Sequence, residues 1–496
     1  MQTETRHFPM YVAGEWTTAE SRIEATSPAT GEVIGTVPDG TRDDVRRGIR
    51  AAEKAWRGWA AKSTFERASV MENVASIIES RREDLAWTLA LDQGKPLAAE
   101  AYDEVDELAV YFKQAAADAT RLDGVMPPSV DAGKRVFLYR VPRGVVGVIS
   151  PWNWPYTMPA ECIAPALASG NAVVWAPASS TSVCAVKLAE CIVAAGIPPG
   201  VFSMVTGRGS VVGDEVASNP GTQAVAFIGS VETGRKVAAR AAGKPMILEM
   251  GGNGPVVVLE DADVGAAAEA SLVSAFLCAG QSCTAGERFL IHEEVHDEFI
   301  EKLVAATEKN IRLGDPFDSG TTMGPLNNEG VAAKMDEHVS DAMERGAKLA
   351  CGGVRASGFP TRLYYRPTVL HGVSGDMLAA REETFGPIAP VGKIRDEAEA
   401  IRIVDESPFG LLSSVWTKDL GRGLRFAEAV RAGWVNINAS SNHWESHLPF
   451  GGRAGSSSGM GRVGGRHPME SAFTEMKTVV LEMGSGEPRR SETLRE

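Results

Sequence analysis

Short apolar segments alternate with longer helical patterns in the middle of this chain, and this alternation limits the possible folds more than any other feature. Strands are predicted at residues 145–149, 172–176, 202–205, 224–228 and 247–250. Helices are predicted between them, over residues 158–168, from Thr181 and from Ser230. Strands that alternate with helices form a parallel sheet with crossover helices on its faces. The fold class is therefore predicted to be α/β, with ligands bound beyond the carboxyl ends of the strands.

The chain is long enough for several domains. Its 496 residues exceed one ordinary domain and suggest about three. Amphipathic helices are predicted over residues 43–62 and 64–92, an acidic helix over 97–117, and a second alternating block over 255–438. Hydrophobic residues make up 44% of the chain, which is enough for substantial cores and unlike a disordered sequence.

The net charge, the distribution of apolar residues and the cysteines argue against several classes of partner and location. A net charge of −14 argues against nucleic acid, which prefers a basic face, and mainly implies solubility. No apolar stretch follows the first six residues, so a secretory signal is not expected, and no run of about 18 apolar residues could span a membrane. The six cysteines include no C-x-x-C pair, which argues against zinc. Free thiols then indicate a reducing cytoplasm.

Two segments offer a thiol and a carboxylate. Cys283 lies in GQSCT (280–284), and Glu249 lies in LEMGGN (248–253). Chemistry that attacks a carbonyl with sulfur and releases the product with water needs a nucleophile and a base. A single free cysteine is more often a small core residue, so this pair needs support from other motifs.

Asn153 stands in the motif PWNWP (151–155), directly after a predicted buried strand. Its amide could donate a hydrogen bond to an oxyanion, or it could serve only as a turn residue. Further on, Gly229 and Ser230 follow another strand and begin a helix, which is a suitable site for a phosphate. The spacing departs from the usual dinucleotide fingerprint, so this motif alone is weak. Two late motifs are EETFGP (382–387) and PFGG (449–452).

Together these motifs resemble the aldehyde dehydrogenase superfamily, in the family's order and over about Met10 to about Met483. The resemblance implies oxidation of an aldehyde to the carboxylic acid with NAD or NADP, through a cysteine thiohemiacetal and a thioester. It also implies a Rossmann-type cofactor domain, an α/β catalytic domain and a small β arm for oligomerisation. A homodimer or homotetramer is expected.

The implied domain boundaries follow the same resemblance. The cofactor domain takes residues 1–120 and 142–250, and the catalytic domain takes residues 251–440. The arm takes residues 121–141 and 465–484, with strands predicted at 134–140 and 477–482. The polar tail, 485–496, is expected to be disordered.

The resemblance also assigns roles to individual residues. Cys283 corresponds to the nucleophile and Glu249 to the general base, while Asn153 and the backbone N–H of Cys283 correspond to the oxyanion hole. The cofactor-binding positions are Trp152, Ser179, Gly209, Gly213, Phe227, Gly229, Ser230, Gly251, Glu383 and Phe385.

The choice between NAD and NADP rests on a departure from the family pattern. The family's Lys-Pro-x-Glu, which holds the adenosine ribose, is here Ala176-Pro-Ala-Ser179. Ala176 cannot contact the ribose or a phosphate, and Ser179 does not repel a 2′-phosphate as glutamate would. Arg208 could compensate for the missing lysine, whereas Asp214 would oppose a phosphate. NAD is slightly favoured, and use of both cofactors remains open.

The substrate pocket implied by the resemblance is mostly apolar or aromatic, which favours an uncharged aliphatic or aromatic aldehyde. Its positions are Trp154, Met158, Glu161, Leu277, Ser282, Thr284, Trp444 and Phe450. No arginine stands among them to hold the carboxylate of a semialdehyde.

Four alternatives stay open. A semialdehyde dehydrogenase is one, although the pocket positions include no arginine for the substrate carboxylate. Glu161, with the acidic residues 103–107, could bind an amino-aldehyde, although charge runs usually form solvated faces. An acylating relative that passes the thioester to coenzyme A should lack a base where Glu249 stands. A non-catalytic protein of the same fold should lack Cys283, Glu249 or Asn153, and none is missing.

Overall fold

The computed structural model describes residues 6–483, so the predicted disordered tail, 485–496, lies outside the described residues. The strands are β1 (Met10–Val12), β2 (Glu15–Thr17), β3 (Arg22–Thr26), β4 (Val33–Pro38), β5 (Lys134–Pro142), β6 (Val145–Ile149), β7 (Ala172–Ala176), β8 (Phe202–Met204), β9 (Ala224–Gly229), β10 (Met246–Met250), β11 (Gly254–Val258), β12 (Gly286–His292), β13 (Lys348–Cys351), β14 (Thr368–His371), β15 (Ile388–Ile394), β16 (Leu412–Trp416), β17 (Trp434–Ile437), β18 (Gly459–Met460) and β19 (Thr474–Glu482).

The helices follow the same chain order. They are α1 (Arg42–Ala60), α2 (Thr64–Ser80), α3 (Arg82–Asp92), α4 (Tyr102–Ala119), α5 (Thr157–Ala168), α6 (Ser182–Ala194), α7 (Val212–Ser218), α8 (Val231–Arg240), α9 (Val264–Phe276), α10 (His296–Asn310), α11 (Glu329–Glu344), α12 (Leu378–Arg381), α13 (Glu397–Asp405) and α14 (Leu420–Ala429). None of the helices in residues 6–483 is long and apolar enough to cross a membrane.

The first sheet has eight strands in the order β18-β10-β9-β6-β7-β8-β1-β2. Its five central strands are parallel, as the alternating pattern predicts. Strands β6 and β7 coincide with the predicted segments, and every residue in them is buried. Continuous apolar runs are expected for parallel strands because helices cover both faces of the sheet. The α/β prediction is confirmed.

The second sheet has seven strands in the order β13-β14-β15-β12-β11-β16-β17, and only β13 is antiparallel to its neighbour. Separate groups of buried apolar side chains pack against this sheet. Cys283 lies just before β12, where the chain enters this sheet from helix α9.

Strands β5 and β19 form a two-stranded antiparallel arm that pairs over the full length of both strands. The predicted arm strands at 134–140 and 477–482 are therefore confirmed, and each is slightly longer than predicted. Several apolar side chains of the arm are exposed, among them Tyr139, Met476, Val480 and Leu481.

The predicted helix over residues 64–92 is wrong in one respect, because it breaks at Arg81. The φ and ψ angles of Arg81 are −108° and 15°, outside the helical region, so α2 ends and α3 begins there. The predicted acidic helix starts as a π-helical turn, Leu97–Ala101, and continues as α4. Helical periodicity persists across both irregularities, which is why the sequence pattern does not reveal them.

Candidate active site

The predicted nucleophile lies in a loop with an uncommon backbone conformation. After helix α9, the φ angles of Cys278, Ala279 and Gly280 are 53°, 52° and 72°. Residues other than glycine rarely adopt such angles. A Cβ at Gly280 would also overlap the carbonyl oxygen of Gly386, so the loop requires glycine there. The loop carries Cys283, whose side chain is buried.

Hydrogen bonds fix the residues on both sides of Cys283. The Ser282 hydroxyl donates to Oδ1 of Asn442 at 3.0 Å, and the Thr284 hydroxyl donates to the same oxygen. The side-chain amide of Asn442 donates to the carbonyl oxygen of Val273 at 2.6 Å, in helix α9. Asn442 therefore ties the thiol loop to the preceding helix. The sequence does not single out Asn442, because its loop carries no motif.

Asn153 follows strand β6 and is held against the thiol loop. Its side-chain amide donates to the carbonyl oxygen of Gln281 at 3.0 Å, and Asn153 lines the same cavity as Cys283. An asparagine amide has two N–H donors, so the second can serve a ligand oxygen. Gln281 is itself fixed, because its Oε1 accepts from the backbone N–H of Asn327 at 2.9 Å.

Glu249 lies in strand β10 and is buried, and its Oε1 has no hydrogen-bond partner within residues 6–483. Burial raises the pKa of Glu249 to about 8, the Cys283 thiol lowers it, and Glu383 raises it. A carboxyl with a pKa near neutrality can exchange a proton with a thiol or a water molecule at physiological pH.

The Cys283 thiol lies in surroundings that favour its protonated form. Burial raises its pKa well above the usual value, and the Glu249 carboxyl raises it further. Thiolate, the reactive form, therefore needs a positive charge nearby or a base that takes the proton.

Two glycines allow the three segments of the site to meet. A Cβ at Gly252 would overlap the carbonyl oxygen of Cys283, and a Cβ at Gly251 would overlap the carboxylate of Glu383. The backbone N–H of Gly252 donates to Oε1 of Glu383 at 3.0 Å. Glycine is required at position 252 because the carboxyl end of β10 contacts the backbone of the thiol loop, whereas a side chain at position 251 would displace the Glu383 carboxylate.

A cavity of about 330 Å³ lies on one side of the thiol. It brings together these sequence-predicted residues: Trp152, Asn153, Met158, Gly229, Ser230, Glu249, Gly251, Cys283, Glu383 and Phe385. Ser230 is the N-cap of helix α8, and its hydroxyl accepts from the backbone N–H of Thr233 at 3.3 Å, as predicted. The first turn of a helix has unpaired N–H groups, which suit a phosphate.

The segment that carries Glu383 and Phe385 is held by a buried carboxylate. Oε1 of Glu287 accepts from the backbone N–H of Phe385 at 2.7 Å, and its Oε2 accepts from that of Thr384 at 2.8 Å. The ring of Phe385 meets that of Trp152 edge to face, with centroids 5.6 Å apart. No motif in the sequence marks Glu287, which follows the glycine after the thiol loop.

A second, narrower cavity lies on the other side of the thiol, with a volume of about 10 Å³, room for about one water molecule. It is lined by Trp154, Met158, Glu161, Glu249, Ser282, Cys283, Thr284, Trp444 and Phe450. Seven of the eight residues predicted for the substrate pocket are among these. Leu277 is the exception: it does not line this cavity, but it packs against the buried cluster that includes Trp154, Met158 and Phe450, so its place in the pocket stays a prediction.

Four residues predicted to bind the cofactor do not line either cavity: Ser179, Gly209, Gly213 and Phe227. Ser179 and the two glycines follow the carboxyl ends of β7 and β8, on the same edge of the sheet as Gly229. Phe227 packs beneath Gly229, where a Cβ would lie 2.8 Å from its ring.

Two charged residues considered for cofactor choice are already paired. Arg208 forms an ion pair with Asp39 at 3.0 Å, with 70% of its side chain exposed. Asp214 pairs with Arg42 at 2.8 Å and with Arg240 at 2.7 Å. The expectation that Asp214 would oppose a phosphate is therefore wrong, since two guanidinium groups compensate its charge.

The expectation that the acidic residues 103–107 form a solvated face is only half correct. Asp103 and Asp106 are exposed, but Glu104 is buried and forms an ion pair with Lys95 at 2.6 Å. Burial also raises the pKa of Glu107 to about 7. A helix that packs against a neighbour on one side exposes only some residues of a charged run to solvent. The sequence of the run does not show which residues these are.

The buried ion pair supports the wall of the narrow cavity. Nζ of Lys95 lies 3.7 Å from the ring centroid of Trp154, a cation–π contact. Oε1 of Glu104 accepts from the backbone N–H of Tyr156 at 3.0 Å, next to the start of α5. Lys95 and Glu104 therefore fix the segment that follows Asn153.

Comparisons with known proteins agree with this geometry. A family model described as the aldehyde dehydrogenase family matches residues 16–479. The chain is 39% identical to the NADP(+)-dependent succinate-semialdehyde dehydrogenase GabD of Escherichia coli strain K12, covering 95% of this chain and 97% of that one. It is also 39% identical to glutarate-semialdehyde dehydrogenase of Pseudomonas aeruginosa, with the same two coverages. A solved succinate-semialdehyde dehydrogenase from Burkholderia pseudomallei superposes with a TM-score of 0.93 at 38% identity, covering 96% of this chain and 98% of that one.

Proposed function

The chain belongs to the aldehyde dehydrogenase family, oxidoreductases that oxidise aldehydes with NAD or NADP, and we propose that Cys283 is its nucleophile, Glu249 its base and Asn153 its oxyanion donor. The observation that carries these roles is that Cys283 and Glu249 line both cavities. An aldehyde carbon placed where the two cavities meet contacts the thiol, with the rest of the substrate in the narrow cavity and the cofactor in the wide cavity.

The first chemical step is attack of the Cys283 sulfur on the aldehyde carbon. Glu249 takes the thiol proton, because its pKa of about 8 keeps it able to act as a base near neutral pH. The aldehyde oxygen becomes an oxyanion, which accepts hydrogen bonds from the free N–H of Asn153 and the backbone N–H of Cys283. Such donors contribute about 10²–10³ each in rate.

The wide cavity fits the nicotinamide half of the cofactor. Its volume of about 330 Å³ suits a small-molecule group, and the start of helix α8 suits a phosphate. The half-buried Glu383 carboxylate lines the cavity and can accept hydrogen bonds from ribose hydroxyls. NAD or NADP, when bound, supplies the acceptor for the hydride that leaves the aldehyde carbon. Gly229 and Gly251 line this cavity, and neither has a side chain that would occupy it.

The second chemical role of Glu249 is hydrolysis of the thioester. Glu249 first passes the thiol proton to solvent. Its carboxylate then takes a proton from water as the water oxygen attacks the thioester carbon. The carbon–sulfur bond breaks, the acid is released, and Glu249 returns its proton to the Cys283 sulfur. This role argues against the acylating alternative, in which coenzyme A replaces water and no base is needed at this position.

We propose an uncharged aldehyde as the substrate, with a slender aliphatic chain favoured by the narrow cavity. Within the described part of the chain, its lining includes neither arginine nor lysine, so a semialdehyde's carboxylate has no cation to pair with. The test is an aldehyde panel with each cofactor, followed by absorbance of the reduced nicotinamide. Faster turnover of succinate semialdehyde than of butanal would contradict this substrate class.

The pH dependence of the rate follows from the raised pKa of Glu249. A base must be deprotonated to act, so kcat should rise by about tenfold per pH unit below pH 8 and level off above it. The measurement is kcat at saturating substrate between about pH 6 and about pH 9.5, with intact folding checked at each pH. A rate that stays flat across this range would argue that Glu249 is not the base.

Discrimination between NAD and NADP is expected to be modest, below about a thousandfold or roughly 4 kcal/mol. The ribose position carries Ser179, which is exposed, and neither a lysine nor a glutamate. Ser179→Glu should raise the preference for NAD by about tenfold or more, since a carboxylate accepts ribose hydroxyls and repels a 2′-phosphate. Ser180→Glu is the matched control and should leave the ratio of kcat/KM values unchanged. An equal shift in both variants would contradict the assignment of Ser179.

We further propose a homodimer or homotetramer in a reducing cytoplasm. The exposed apolar side chains of the β5–β19 arm support association, because apolar surface gains free energy when it is buried. All six cysteines are free, and five are buried, which supports a reducing compartment.

A further inference from the structure

The narrow cavity contains a second carboxyl group that the proposed mechanism does not use. Glu161, in helix α5, is 4% exposed and lines this cavity together with Glu249. The Tyr111 hydroxyl, in helix α4, donates to Oε1 of Glu161 at 2.5 Å. Within the described residues no other group bonds this carboxyl, so its Oε2 is available to a ligand.

The surroundings of Glu161 are aromatic and acidic. Trp154, Trp444 and Phe450 line the cavity, and the ring of Tyr111 stacks on that of Trp444 with centroids 6.3 Å apart. Among the residues that line this cavity none is basic. A ligand here meets mostly aromatic and apolar walls and a few polar groups at fixed positions, among them Glu161, the arrangement by which small-molecule sites select their ligands.

The surroundings of Glu161 favour its neutral form. Burial raises its pKa well above the usual value, and the Glu107 and Glu249 carboxyls raise it further, against the lowering effect of Tyr111. A neutral carboxyl offers one O–H donor and free acceptor sites, but it is not a ready counter-ion.

We infer that Glu161, positioned by Tyr111, determines substrate specificity by hydrogen bonding a hydroxyl at the far end of a short, uncharged aldehyde. This inference rests on the proposed function and narrows its substrate class. A hydroxyl can both donate to and accept from the carboxyl, whereas a carboxylate in the same place would meet Glu161 and Glu249 with no cation to compensate it.

An ammonium group is a weaker match than a hydroxyl. It would require Glu161 to ionise at a buried position, and the desolvation of two charges can exceed their attraction. The free volume of about 10 Å³ holds about one water molecule, so the walls must move apart to admit a substrate, and a slender chain requires less movement than a ring. The substrate class is therefore short hydroxyaldehydes.

The test compares four aldehydes of equal chain length: propanal, 3-hydroxypropanal, 3-aminopropanal and malonate semialdehyde. For the parent enzyme, kcat/KM for 3-hydroxypropanal should exceed that for propanal by about tenfold, the effect of one hydrogen bond. Malonate semialdehyde should be the poorest substrate, below propanal by about tenfold or more.

Two substitutions separate hydrogen bonding from charge. Glu161→Leu should bring the hydroxypropanal-to-propanal ratio close to one while propanal is still oxidised. Glu161→Gln retains an acceptor, so it should keep most of the hydroxyl preference. Its N–H donors should also raise kcat/KM for malonate semialdehyde. Glu100→Gln is the matched control, because Glu100 is a buried carboxyl outside both cavities, and its ratios should equal those of the parent.

The outcomes are distinguishable. Retention of the hydroxyl preference in Glu161→Leu would overturn the inference and leave the proposed function intact. A parent enzyme that prefers 3-aminopropanal, with the preference lost in Glu161→Gln, would overturn it in favour of a cation site. A parent enzyme that oxidises none of the four would overturn the proposed substrate class and the inference with it.

Discussion

Replacement of Cys283 by serine should reduce aldehyde oxidation by about 10³-fold or more while cofactor binding stays close to that of the parent. A serine hydroxyl is a far weaker nucleophile than a thiolate and has no separate base beyond Glu249 to activate it. The rate is measured by absorbance of the reduced nicotinamide, and cofactor binding by quenching of tryptophan fluorescence, since Trp152 lines the wide cavity.

Cys278→Ser is the matched control for this prediction. Cys278 lies in the same loop as Cys283 and is also buried. Unlike Cys283, it lines neither cavity, and its sulfur accepts a hydrogen bond from the side-chain amide of Gln93 at 3.3 Å. Its replacement should change the rate only mildly, through packing. Robust turnover by Cys283→Ser, or loss of activity only in Cys278→Ser, would contradict the assignment of the nucleophile.

Replacement of Glu249 by glutamine should slow the steady state by about 10²–10⁴-fold, the usual contribution of a general base. If hydrolysis is the step most affected, a burst of reduced cofactor should precede the slow phase and an acyl-enzyme should accumulate. Mass spectrometry of the quenched protein should then find the acyl group on Cys283.

The double variant Glu249→Gln/Cys283→Ser is the control, and it should show neither burst nor adduct. Steady-state rates equal to those of the parent would exclude Glu249 as the base. Acceleration of the parent enzyme by coenzyme A would instead support the acylating alternative.

The sequence predicted correctly those strands and helix caps that depend on residues close together in the chain. Strands β6 and β7 coincide with the predicted segments, because a run of buried apolar residues between turns is itself the physical requirement for a central parallel strand. The Ser230 cap was predictable for the same reason, since its hydroxyl bonds a backbone N–H three residues away. The convergence of Asn153, Glu249 and Cys283 on one cavity followed from motif order and family resemblance.

The features that the sequence missed all depend on contacts between distant segments. Asn442 fixes the thiol loop from a stretch without any motif, and Glu287 holds the Phe385 segment from nearly one hundred residues away. The periodicity of a helix identifies an apolar face but not the partner that covers it. For that reason the burial of Glu104 with Lys95 was not predictable from an acidic run.

The sequence by itself therefore determined the alternating α/β framework and the chemical groups at the site, because both are encoded in local patterns and short motifs. Only the tertiary structure decided which acids are buried. It also decided that Gly252 is needed for the close approach of the thiol loop. Burial and close approach depend on what the rest of the chain places beside a residue, and no short segment contains that information.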